Sequence, residues 1–110
     1  MENHFSRIDS KEVLDDLMVR SNQEPVVIFK HSATCGISTI AYAQMSRVPA
    51  EVALVELQHA RELSREIEAR TGVAHESPQV IILRNGEAVW HASHGQIKTE
   101  VVEQAVRNYT

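Results

Sequence analysis

Residues 26–38, V-V-I-F-K-H-S-A-T-C-G-I-S, hold the only cysteine of the chain and decide how the remainder is read. Val26, Val27, Ile28 and Phe29 make a short apolar run that reads as a buried strand. The spacing of Ile37, Ile40 and Ala41 after it reads as helix. Cys35 therefore falls where a central strand hands over to a helix. The first N–H groups of a helix lack intrahelical partners and carry the positive end of its macrodipole. A thiolate at Cys35 is placed to accept bonds from the N–H groups of Ile37 and Ser38. Such surroundings lower a cysteine pKa from about 8.5 into the range of about 3.5–7.5 typical of reactive thiols. Thr34, Gly36 and Ser38 are small and polar or bare, which suits an approachable sulfur. The competing reading, a small buried hydrophobe, fits those neighbours poorly.

Composition narrows the function classes. A chain of 110 residues, 43% hydrophobic, carries enough apolar surface for one modest core and one domain, residues 1–110. A net charge of -4 argues against general affinity for nucleic acid or anionic membranes. No run approaches the ~18 apolar residues of a membrane span. The first ten residues, M-E-N-H-F-S-R-I-D-S, have no apolar signal core, so a cytoplasmic location is expected. With one cysteine, disulfide chemistry must run through a partner's thiol.

Outward from the central stretch, Asp9 or Ser10 can cap a first helix, with Glu12 completing a capping box from Asp9. Val13, Leu14, Leu17 and Met18 form its apolar stripe. S-N-Q-E-P ends it. The helix after Cys35 runs to about Met45 or Arg47 and is stopped by Pro49. Residues 51–57, E-V-A-L-V-E-L, read as the second strand. Ala60, Leu63 and Ile67 line a third helix that ends at Thr71-Gly72. Residues 79–83, Q-V-I-I-L, form a strand, Asn85-Gly86 a two-residue turn, and residues 87–91 the return. Ile97, Val101, Val102, Ala105 and Tyr109 mark the last helix. The order is α-β-α-β-α-β-β-α, which implies a four-stranded mixed sheet flanked by helices, a βαβ half followed by a ββα half.

K-H-S-A-T-C-G-I-S at residues 30–38 and E-S-P-Q-V-I at residues 76–81 resemble the two motifs of the YtxJ-like monothiol bacilliredoxins, within the thioredoxin-like superfamily. The resemblance covers nearly the full length. One departure is Gly36, where that family's motif has proline. The resemblance implies a thioredoxin-like fold and a thiol–disulfide oxidoreductase that removes bacillithiol from mixed disulfides of S-thiolated client proteins. Cys35 would be the nucleophile, and a small thiol the co-substrate, with no tightly bound cofactor. Ser38 stands where dithiol relatives keep a second cysteine, so release of the small thiol from Cys35 needs another thiol or reductant. Ser38 can hydrogen-bond the thiolate or satisfy a backbone N–H, and both readings stand. The resemblance also implies a cis Pro78, with Ser77 offering main-chain bonds to an extended substrate.

Other signals are weaker. The six histidines lack the cysteine-rich spacing of a zinc site and read as surface or loop residues. His31 at the strand end has a lesser reading as a neighbour of the thiolate, and Lys30 reads as a solvated strand-end residue that attracts an acidic small thiol. A Cys/His hydrolase lacks an orienting group and an oxyanion hole. C-G-I-S also resembles the C-G-F-S of monothiol glutaredoxins, which carry an iron–sulfur cluster. Ile37 departs from that motif, and H-A-S-H-G-Q-I stands where a paired glycine and Asp would be, so cluster transfer ranks second. A thioredoxin-fold stress or binding protein with an idle cysteine ranks third.

Overall fold

The computed structural model describes residues 4–32 and 36–110. Five strands and four helices alternate along it: β1 (Phe5–Arg7), α1 (Lys11–Arg20), β2 (Val26–His31), α2 (Gly36–Met45), β3 (Val52–Glu56), α3 (Arg61–Thr71), β4 (Gln79–Arg84), β5 (Glu87–Ser93) and α4 (Thr99–Asn108). A short 3-10 turn, His94–Gln96, precedes α4. The strands form one mixed sheet in the order β1-β3-β2-β4-β5. β3 lies parallel to both β1 and β2, whereas β4 runs antiparallel to β2 and to β5.

The four expected strands are all present, and β1 is a fifth. It is three residues long, and only its pairing with β3, Phe5 opposite Val52, makes it a strand. The Phe5 ring packs edge-on against Tyr42, with centroids 4.8 Å apart.

Side chains alternate across a strand, so a central strand feeds two cores. Val27 and Phe29 point to one, completed by Ala41 and Met45 of α2 and by Val102 and Ala105 of α4. Val26 and Ile28 point to the other, completed by Leu14 and Leu17 of α1 and by Leu63 and Ile67 of α3. Every residue of β2 is buried. The helix spacing read from Ile37, Ile40 and Ala41 is right, but only Ala41 faces inward. Ile37 and Ile40 are exposed, and the buried face is Ser38, Ala41 and Met45.

The punctuation follows local chemistry. Ser10, rather than Asp9, caps α1 by accepting from the Val13 N–H at 3.2 Å. Gly72 ends α3 in the left-handed region, φ 74°. Asn85 and Gly86 both have positive φ, 56° and 76°, as a type I′ hairpin turn requires. Ser21 at the end of α1 holds that turn in place: its carbonyl accepts from the Asn85 N–H at 2.7 Å and its Oγ from the Gly86 N–H at 2.9 Å.

Ile28 lies in the middle of β2 with no exposed surface. Ile28→Ala is expected to cost about 2–5 kcal/mol, because the two-layer packing around it cannot collapse into the space. Urea unfolding checks this: the midpoint falls with an unchanged slope.

Candidate functional site

The site is built where the C-terminal end of β2 meets the N-terminal end of α2 and the loop that enters β4. β2 and β4 are paired with Lys30 opposite Gln79. Following this antiparallel register two places further leads from Lys30 to Ser32 on one chain and from Gln79 to Ser77 on the other. The two motifs read from the sequence, 47 positions apart at Lys30 and Ser77, are thereby brought to one edge of the sheet.

Cys35 and Thr34 lie outside the described residues. The site is therefore defined by what surrounds them in the chain. Gly36 and Ile37 open α2 and are exposed. Helix geometry leaves the N–H groups of its first turn without intrahelical partners. Ser38 is fully buried, and its Oγ accepts a hydrogen bond from the Ser32 N–H at 3.3 Å. That bond ties the residue after β2 to the first turn of α2.

The Ser77–Pro78 peptide is cis, in agreement with the family resemblance. Pro78 is buried and its carbonyl accepts from the His94 N–H at 3.0 Å. Ser77 is half-buried; among the described residues its main chain forms no hydrogen bond and its Oγ is buried without a partner.

Strand alternation sends Lys30 and His31 to opposite faces, and both are buried. This corrects the reading of Lys30 as solvated: the strand continues through His31, so Lys30 belongs to the sheet interior. Its Nζ donates to Nδ1 of His75 at 3.1 Å, which leaves the His75 proton on Nε2. Ser64 Oγ of α3 lies 3.1 Å from the same nitrogen. Burial pushes the Lys30 ammonium down from 10.5 to about 8, although Glu68 and Glu76 act in the opposite direction. His75 is lowered by burial and then by the Lys30 charge. His31 stacks near Tyr42, with ring centroids 4.9 Å apart. Its pKa is lowered by burial, against the pull of Glu56 and a hydrogen bond with the Ser38 backbone.

His75, Ser64 and the arginines beside them escape a reading by motif. A lysine one place before the end of a central strand was the signal that a buried partner existed. Among the described residues, no three His, Cys, Asp or Glu side chains come together as a metal-binding group. No described helix is long and apolar enough to cross a membrane.

A mixed sheet of this order between two helical layers, with a cis proline beside the end of the central strand, defines a thioredoxin-like protein. Solved thioredoxins share the fold. One is a thioredoxin mutant from Halobacterium salinarum NRC-1, at TM-score 0.75 and 16% identity, covering 100% of this chain and 96% of that one. Another is the thioredoxin of Trypanosoma brucei brucei, at TM-score 0.75 and 17% identity, covering 94% and 88%. A proposed oxidoreductase with a thioredoxin fold is more similar in sequence, at 32% identity and TM-score 0.83, with 92% of each chain covered. The family model for monothiol bacilliredoxin BrxC matches residues 6–102. The chain belongs to the monothiol bacilliredoxin family, and its role is a redox one.

The buried Lys30 ammonium has a measurable consequence. Its folded pKa lies below its unfolded value, so between pH 8 and 10.5 the unfolded chain binds more protons and stability rises with pH. Below pH 8 the full solvation cost is present, on the order of 3 kcal/mol. Lys30→Met is therefore expected to stabilise the protein at pH 7 by roughly 1–3 kcal/mol. Urea midpoints measured from pH 7 to 10.5 should climb for the natural protein and stay level for the variant.

Proposed function

We propose that this protein is a cytoplasmic, single-domain thiol–disulfide exchanger that removes bacillithiol, or a similar low-molecular-weight thiol, from S-thiolated client proteins. The observation that carries the reading is the family match over residues 6–102, which spans the chain's single cysteine. The Cys35 thiolate attacks the small-thiol sulfur of a client mixed disulfide. The client sulfur leaves as a thiolate and takes a proton, and Cys35 is left joined to the small thiol. A second small thiol then attacks this adduct, forming a small-molecule disulfide and regenerating Cys35. One disulfide is consumed and one is formed at each step, so no further oxidant is needed.

The surroundings support these roles. The N–H groups opening α2 at Gly36, Ile37 and Ser38, which have no intrahelical partners, favour a thiolate at the preceding residue, with Thr34 on its other side in the chain. The main chain of Ser77, without a hydrogen bond among the described residues and followed by the buried Pro78, offers an edge on which an extended client segment can add as a strand. Ser38 Oγ accepts from Ser32 and still has its own O–H to donate. Both sequence readings of Ser38 are therefore compatible.

Intact-mass spectrometry of the protein purified anaerobically from its host tests the reading directly. The expected result is a mass increase equal to one bacillithiol on Cys35. An unmodified mass with iron in a dimeric fraction would favour the cluster carrier instead. Cys35→Ser is expected to abolish exchange and leave the urea midpoint unchanged; loss of the fold would mean that the cysteine is a structural core residue.

Ser38→Ala removes the acceptor for Ser32 and is expected to cost about 1 kcal/mol of stability. Titration of the thiol by its ultraviolet absorbance should show only a modest change for Cys35, with exchange slowed but retained.

A further inference from the structure

An open cleft of about 400 Å³ lies between the end of β2 and α3. We propose that it binds the carboxylates of the small thiol that exchanges with Cys35, with Arg61 and Arg65 as the anion-holding residues. This rests on the exchanger reading above and assigns the two residues that make exchange with an anionic small thiol faster than with a neutral one.

The volume suits a small organic molecule. Ser32 lines the cleft, and Cys35 follows three residues later. Three residues span at most about 11 Å, which bounds the distance along the chain from the cleft wall at Ser32 to the cysteine.

The electrostatics select the ligand. Arg61 and Arg65 stand four residues apart and therefore share one face of α3, and both line the cleft. Like charges at this spacing repel. Neither guanidinium has an ion pair among the described residues, and both are exposed. One nearby acid on the same helix is committed elsewhere. Glu66 pairs with Arg70 at 2.8 Å, on the same helix. Glu68 also lines the cleft and has no ion pair among the described residues, so the lining sets two guanidiniums against one carboxylate. Lys30 reaches the cleft wall through His75, so a cation stands behind the floor as well as at the mouth. Two free guanidiniums facing one cavity are suited to bidentate capture of carboxylates, which a neutral thiol cannot exploit.

The test uses the reduced full chain and the double variant Arg61→Gln/Arg65→Gln. Each is reacted with the disulfide of bacillithiol, a dicarboxylate thiol, and with the neutral hydroxyethyl disulfide. Adduct formation on Cys35 is followed by mass spectrometry. The quantity read is the ratio of the anionic to the neutral second-order rate constant. The natural protein is expected to prefer the anionic disulfide, and the double variant to lose about tenfold in that ratio. Added salt should erode the ratio in the natural protein and much less in the variant. An unchanged ratio in a variant that still exchanges overturns the cleft while leaving the exchanger reading intact. An equal loss with both disulfides also overturns it, since the arginines would then act on the thiol or the fold. A natural protein that reacts with neither disulfide removes the exchanger reading, and the cleft proposal with it.

Discussion

The burial of β2 on both faces is the constraint from which the rest of the molecule follows. A strand covered on both sides must be apolar at successive positions, and its backbone groups must be paired along both edges. Pairing with β3 on one side and β4 on the other meets the second requirement. Two helical layers meet the first. The strand then ends in two residues, Lys30 and His31, that do not suit such a place, and each is accommodated differently. Lys30 finds Nδ1 of His75 on the α3 side. His31 lies against Tyr42 on the α2 side, with its Nδ1 buried and unpartnered. Their lowered pKa values record the cost of burial in both cases.

That cost is concentrated at one end of one strand. A core built for stability alone would place valine or isoleucine there, as it does at the other end of β2. The polar residues gather instead at the end of the sheet where Ser32 bonds to Ser38 and where the cis Ser77–Pro78 peptide leads into β4. Stability is given up next in the chain to its single cysteine, the pattern expected when a sequence breaks local rules at a functional edge.

The fold was legible because its central elements depend on patterns that a single sequence displays. The apolar runs of β2 and β4 needed no periodicity, Asn85-Gly86 permitted one turn type, and Gly72 supplied the left-handed stop to α3. β1 was invisible because three residues carry no period, and only Val52, Ala53 and Leu54 across the ladder make it a strand. α2 was placed correctly, but the two isoleucines whose spacing announced it do not mark its buried face. Its inward face carries Ser38 and Ala41, small residues that let the helix lie close to the sheet, while Ile37 and Ile40 face outward. Hydrophobicity alone ranks isoleucine above serine, and so it points to the wrong face.

The candidate site divides along the same line. Residues marked by motif, Gly36, Ile37, Ser38, Ser77 and Pro78, could be named from order in the chain. Residues that owe their place to tertiary packing could not. His75 sits in a segment, residues 72–78, with no regular element of its own, and only the β2–β4 pairing carries it to Lys30 and Ser64. Lys30 was misjudged for the reason that His75 was missed. A lysine is read as solvated unless its partner is known, and the partner lies 45 residues further along. One strand, two residues longer than the apolar run that announces it, joins the two errors and leads into the cleft wall at Ser32 and His75.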